Sequence, residues 1–253
     1  AAIAGFLSTA VPNWTGTRAA AGAPLAALTL LWLAARLLLA MGPGPTWWLA
    51  ALVELAVIPA LVALIAPPLL RTRNRNSVLL FALAALWAAD ATFMWAIGRG
   101  DAALASRALL ASVDLALVMV TIVGGRIIPS FTGNALRLRG IESPIALRAW
   151  VESSLPPLMA LNALVDAAAP GAWLAAAIAA AAAILHAWRL AGWQGWRARR
   201  EPILWSLHLA YAWLPVGFAM KAAWLATSWS GGSFWLHALA AGAIAGMVLA
   251  VAT

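Results

Sequence analysis

The stretch HAWRLAGWQGWRARREPILWSLHLAYAWLP (residues 186–215) decides how the chain is read. Two apolar runs flank a basic, Trp-rich turn, so the pattern predicts two helices folded back on each other. Each carries one histidine, His186 and His208, a short way in from the turn. Ionisable groups in an apolar helix are costly to bury and default to function. A pair of imidazoles can bind haem iron axially or hold copper. Alternatively, each histidine caps a carbonyl or bonds a neighbouring helix. Trp205, Tyr211 and Pro215 share the expected His208 face at helical spacing.

Outward from this hairpin the same composition continues. The chain is 65% hydrophobic and only 9% charged, against roughly 25% charged in soluble domains. Its charge-poor stretches are each about twenty residues long, the length that crosses a bilayer core. Backbone groups have no water there, so the spans are helices or a closed barrel. Continuous Ala/Leu runs without alternation select helices. The expectation is an all-α, polytopic transmembrane bundle forming a single domain over 1–253, with eight to nine spans. They are drawn at 1–11 (partial), 23–41, 46–69, 77–97, 102–123, 153–168, 171–192, 203–226 and 233–253. Breaks are placed at the Pro/Gly punctuation of 12–16, 42–45, 67–68, 124–125, 170–171 and 231–232. Both ends stop within apolar sequence, so the segment reads as part of a longer chain. There is no cysteine, which excludes disulfides, iron–sulfur clusters and thiolate metal sites.

The arginines orient the spans. Arg18, then Arg71, Arg73 and Arg75, then Arg137, Arg139 and Arg148, then Arg197, Arg199 and Arg200 fall on alternate loops, while the opposite side has Arg99 and little else. The positive-inside rule makes the first set of loops cytoplasmic. The net charge of +8 is therefore a topology signal. The basic loops carry no nucleic-acid-binding motif, so no nucleic-acid partner is expected. Trp47, Trp48, Trp229 and Trp235 on one side, with Trp14, Trp150, Trp193 and Trp196 on the other, fit interfacial belts.

Depth, counted at ~1.5 Å per residue, puts His186 and His208 at one level, roughly 8–9 Å in from the cytoplasmic side. His237 enters from the other face, some 15–20 Å of depth away, and cannot share their metal. Arg36, Glu54, Asp90, Arg107 and Lys221 count to a depth similar to His237. Arg36 with Glu54 and Asp90 with Arg107 can form ion pairs, or line a polar pocket in which Lys221 and His237 adjoin. Asp114 counts to mid-membrane with no basic residue at its depth. Arg107, Asp114 and Thr121 form a stripe at seven-residue intervals, serving a proton path or helix–helix glue. The stripe runs into GGRIIPSFTGNAL (124–136), where two glycines permit a turn or a close approach. Arg126 there can hold haem propionates or anchor the helix among lipid headgroups.

GGRIIPSFT, together with TAVPNWTG (9–16), LWSLHLAYAWLPVG (204–217) and FWLHALAAGAIAGMVLAV (234–251), resembles the NnrS family of bacterial membrane proteins over essentially the whole chain. The resemblance implies about twelve membrane helices, bound haem and copper, and a role in the response to nitric oxide during denitrification or nitrosative stress. The expected partners are the lipid bilayer and nitric oxide or iron-nitrosyl species, and the expected location is the bacterial inner membrane with loops 71–75, 137–148 and 197–200 cytoplasmic. Carried onto this sequence, the family's recurrent positions are Asn13, Trp14, Asp114, Gly124, Gly125, Arg126, Pro129, His186, His208 and His237. A further family histidine falls where Met94 stands, and Met is itself an axial haem ligand in some proteins. Family histidine segments before PNWTG and after the last helix fall outside this chain. Placed on the topology, they imply two metal centres, with haem at His186, His208 and Arg126 and a second metal at His237. Asp114, Thr121, Asp90 and Lys221 are the expected proton path or polar pocket. The alternatives are a transporter of metal, haem or a small anion, and an accessory subunit of a respiratory complex.

Overall fold

The computed structural model describes residues 2–142, 145–169, 171, 173–229, 231 and 234–252. Its long elements are α1 (Ala2–Thr15), α2 (Ala23–Ala40), α3 (Trp47–Arg71), α4 (Val78–Arg99), α5 (Ala102–Leu138), α6 (Ala149–Ala168), α7 (Trp173–Gly192) and α8 (Pro202–Thr227). The last segment starts as α9 (Trp235–His237), winds as a π-helix over Ala238–Ala245, and ends as α10 (Gly246–Ala252). No strand occurs among the described residues. The protein is an all-helical membrane bundle.

Six helices are long and apolar enough to span a bilayer: α2, α3, α5, α7, α8, and α4 together with the turn before it. The other three expected spans correspond to α1, α6 and the shorter apolar run Trp235–Val251. Large apolar side chains point outward along the spans, including Leu30, Leu37, Phe81, Leu164 and Leu249. So many exposed apolar side chains would drive a soluble protein to associate, whereas hydrocarbon solvates them.

Several expected breaks are absent. α5 runs without interruption through Gly124, Gly125 and Pro129 to Leu138, well past the predicted end at 123. α3 continues through Pro67 and Pro68 to Arg71, α1 carries Pro12 inside it and reaches Thr15, and α6 begins at Ala149 rather than 153. Hydrocarbon offers a freed carbonyl no water, so keeping the other helical bonds outweighs the one that proline removes. Gly100, at φ 73°, does end α4 in a left-handed cap. The breaks at 170–171 and 231–232 include Pro170 and Gly232, outside the described residues.

The chain forms two compact units, 1–112 and 113–253. In the first, α3 packs against α1, α2 and α4. Trp47, Ala51 and Met94 form its small apolar cluster, and the Trp47 indole donates to the Met94 carbonyl at 3.1 Å. Asn74 Nδ2 donates to the Trp14 carbonyl at 2.9 Å, tying the turn after α3 to the end of α1. In the second unit, α7 lies along α8, and α6 and the π-helical segment pack on this pair. The inner face of α7 is mostly alanine (Ala175, Ala179, Ala182, Ala183), which lets the backbones approach closely. The same face then carries His186 and Arg189.

Candidate functional site

The second unit holds a polar network around Tyr211 on α8. His186 and Arg189 are three residues apart on α7, so both project from one face toward it. The Arg189 guanidinium grips both carboxylate oxygens of Glu152 on α6, Nε donating to Oε1 at 2.9 Å and Nη2 to Oε2. Its Nη1 donates to the Thr121 carbonyl at 2.8 Å and to the Tyr211 hydroxyl at 3.1 Å. The Tyr211 hydroxyl also meets His186 Nδ1 at 2.8 Å. Phe218 stacks parallel to the imidazole, with ring centroids 5.9 Å apart.

The glycine pair on α5 makes this network fit. A Cβ on Gly125 would overlap the Arg189 guanidinium, and one on Gly124 would press on the Tyr211 ring at 3.3 Å. Close approach, rather than a turn, is what these glycines supply. Arg126 is exposed on the same helix. It is Arg189 whose guanidinium reaches the imidazole's surroundings.

His208, one turn before Tyr211 on α8, sits differently. Its Nδ1 is 2.8 Å from the Leu204 carbonyl, and its ring lies against the backbone of Gly195, where any Cβ would overlap it. A carbonyl only accepts, so Nδ1 carries the proton and Nε2 presents a bare lone pair. His186 and His208 make no ring contact with each other among the described residues. Tyr211 and Trp193 stand between them, as His186–Tyr211 (5.4 Å), Tyr211–Trp193 (4.6 Å) and Trp193–His208 (6.4 Å). Nε2 of His186, Nε2 of His208 and Nε1 of Trp193 are all buried without a hydrogen-bond partner. A buried polar atom left unpaired costs about 1–3 kcal/mol. Three in one connected ring cluster call for an explanation, and a bound ligand is one. Trp205, expected on the His208 face, is half exposed.

A second polar cluster corrects the expectation that Asp114 has no basic residue at its depth. Asn162 on α6 donates through Nδ2 to Asp114 at 2.9 Å and to Asp166 at 3.2 Å. Lys221 on α8 ion-pairs with Asp166, donates to Asn162 Oδ1 at 2.9 Å, and lies 5.1 Å from the centre of the Trp235 ring. All four polar residues are buried. Lys221 therefore faces Asp166, while His237 is exposed beside Phe234, so the two do not build the expected shared pocket. Thr121 is buried, but its hydroxyl returns to the Leu117 carbonyl of its own helix. Leu117, fully buried, lies between Asp114 and Thr121 on the stripe.

In the first unit, Arg36 and Glu54 form the expected ion pair. Asp90 makes no ion pair with Arg107 among the described residues and instead lies within the electrostatic reach of Arg36. Met94 is buried beside Trp47. No group of three or more His, Asp or Glu suited to a metal ion occurs among the described residues.

Four residues of these clusters escaped sequence reasoning: Glu152, Asn162, Asp166 and Arg189. Spacing was the available signal. Asn162 and Asp166 are four apart on a short apolar helix, and Arg189 follows His186 by three, so each pair shares a face.

Compared with known proteins, residues 1–253 match the family described as NnrS protein. No curated protein and no solved structure matches the chain.

Proposed function

The chain belongs to the NnrS family, and on that premise we propose that it is a membrane haem protein that binds nitric oxide or its iron complexes in the response to nitric oxide. One observation carries this reading: the two buried imidazoles, His186 and His208, each keep Nε2 free of any hydrogen-bond partner. The Leu204 carbonyl fixes His208 in the tautomer that a metal ligand needs. In this reading His208, His186 or both would hold the haem, and Arg126 would offer its guanidinium to the propionates. The bound iron would supply a site for a diatomic ligand and a one-electron couple.

The chain's own part is to hold these groups in place. Glu152 fixes Arg189, which holds the Tyr211 hydroxyl, which in turn fixes the rotation of His186. Phe218 and the alanine face of α7 keep water away from the imidazole. Copper takes imidazole ligands as well. A second centre at exposed His237 rests on the family resemblance, and so, separately, does a ligand role for Met94. We place the protein in the bacterial inner membrane with its arginine-rich loops cytoplasmic.

The test is an optical and EPR comparison of the full-length protein with His186→Ala, His208→Ala and His237→Ala. Haem absorbance should be present in the wild type, be lost or altered in the first two variants, and persist in the third. A full-length protein purified without any haem band, even after haem supplementation, would end the proposal.

A further inference from the structure

The cluster of Asp114, Asn162, Asp166 and Lys221 lies apart from the imidazoles, and its charges do not balance. Two carboxyl groups and one ammonium are buried together. The three donors of Lys221 are directed to the Asp166 carboxylate, the Asn162 carbonyl and the face of Trp235. Lys221 is thus committed to Asp166. Asp114 receives a hydrogen bond from the neutral Asn162 amide and forms no ion pair among the described residues.

Among the described residues the neighbouring elements bring no further compensation. On α7, His186 and Arg189 are engaged with Tyr211 and Glu152, and His237 on α9 is exposed. An unpaired anion in a low-dielectric interior neutralises rather than persists. Where two carboxylates share one site, one of them holds a proton.

We infer that this cluster is an intramembrane proton-binding site, in which one exchangeable proton rests on Asp114 while Asp166 stays ionised against Lys221. In the binding step, a proton delivered by water forms an O–H bond on the Asp114 carboxylate, and release returns it to water. Asn162, donating to both carboxyl groups, holds them side by side. Leu117 separates the cluster from the Thr121–Arg189–Tyr211 network, so the site stands independently of the haem reading.

The chain has four aspartates, Asp90, Asp101, Asp114 and Asp166, which makes a clean measurement available. This chain carrying Asp90→Asn and Asp101→Asn is prepared with side-chain-carboxyl-labelled aspartate. Its infrared spectrum is recorded in lipid nanodiscs at neutral pH, in light and in heavy water. The expected result is one labelled protonated-carboxyl band, shifted by heavy water, beside one labelled carboxylate band. Adding Asp114→Asn removes the protonated band and leaves the carboxylate. Labelled signal in carboxylate bands alone overturns the proposal. So does a protonated band that disappears when sodium or potassium is added at constant pH, which would make this a cation site. If the Asp114→Asn protein does not fold, the labelled parent decides the matter by its ratio of the two bands.

Discussion

Gly125 has no side chain because Arg189 occupies the space where one would go. That guanidinium is held by Glu152, by the Thr121 carbonyl and by the Tyr211 hydroxyl, so it cannot swing aside without breaking bonds to a buried charge. Gly125→Ala should therefore destabilise the protein by about 1–3 kcal/mol, the range for overpacking. Gly124→Ala differs, since its Cβ would meet the Tyr211 ring at 3.3 Å, a tight contact but one a small shift relieves. The helix preference of alanine over glycine, about 1 kcal/mol, offsets much of that strain. Thermal unfolding in detergent should show a lowered Tm for Gly125→Ala and little change for Gly124→Ala; equal effects would remove Arg189 as the cause. The glycine pair was visible in the sequence as a turn or a close approach, without the group approached. Its purpose depends on a side chain two helices away in the chain, which no local pattern reveals. His186 and His208 were legible as two imidazoles in apolar helices, and both are buried. The two rings standing between them were not legible, because ring packing depends on rotation about the helix axis.

At the scale of the element, α6 shows how polar residues position an apolar helix. Its first turn carries Glu152, paired with Arg189 near the end of α7, and its last turns carry Asp166, paired with Lys221 late in α8. These contacts make α6 antiparallel to α7 and parallel to α8. The step of fourteen residues from Glu152 to Asp166 rises about 21 Å, most of a hydrocarbon core. Hydropathy sized this helix well at its C-terminal end but began it after Glu152, since charge reads as loop when its partner is unseen. Glu152→Gln keeps the shape and leaves Arg189 without its counter-charge. It should lower stability by roughly 2–3 kcal/mol, below the range for a fully enclosed pair because Glu152 is partly exposed. Chemical denaturation of the two proteins side by side checks this, and a loss below experimental error would mean that the pair contributes nothing net. The π winding of Ala238–Ala245 was invisible to composition. There Gly242 admits Trp213 and Gly217 admits Leu239, contacts set by how the segment lies on α8.

For the molecule as a whole, α6 decides the topology by parity. Two crossings, α6 and α7, separate the loop holding Arg139 and Arg148 from the loop holding Arg197, Arg199 and Arg200. If α6 spans, both loops share a side, and every arginine-rich loop of the chain falls on one face as the positive-inside rule requires. If α6 only lay along the surface, the later loop would be translocated with its charges, against that rule. The two ion pairs at its ends favour the span, because they match its length to helices that cross. Since the chain contains no cysteine, single cysteines report the answer directly. Thr72→Cys, Glu142→Cys and Arg199→Cys should react with an impermeant thiol reagent from the cytoplasmic side. Thr46→Cys, Asp101→Cys and Ser228→Cys, all exposed in loops or at helix ends, should react from the opposite side. Labelling of Arg199→Cys and Glu142→Cys from different sides would place α6 outside the membrane. It would also leave Asp166 and Lys221 without a common depth, so the proton site stands or falls with the same result.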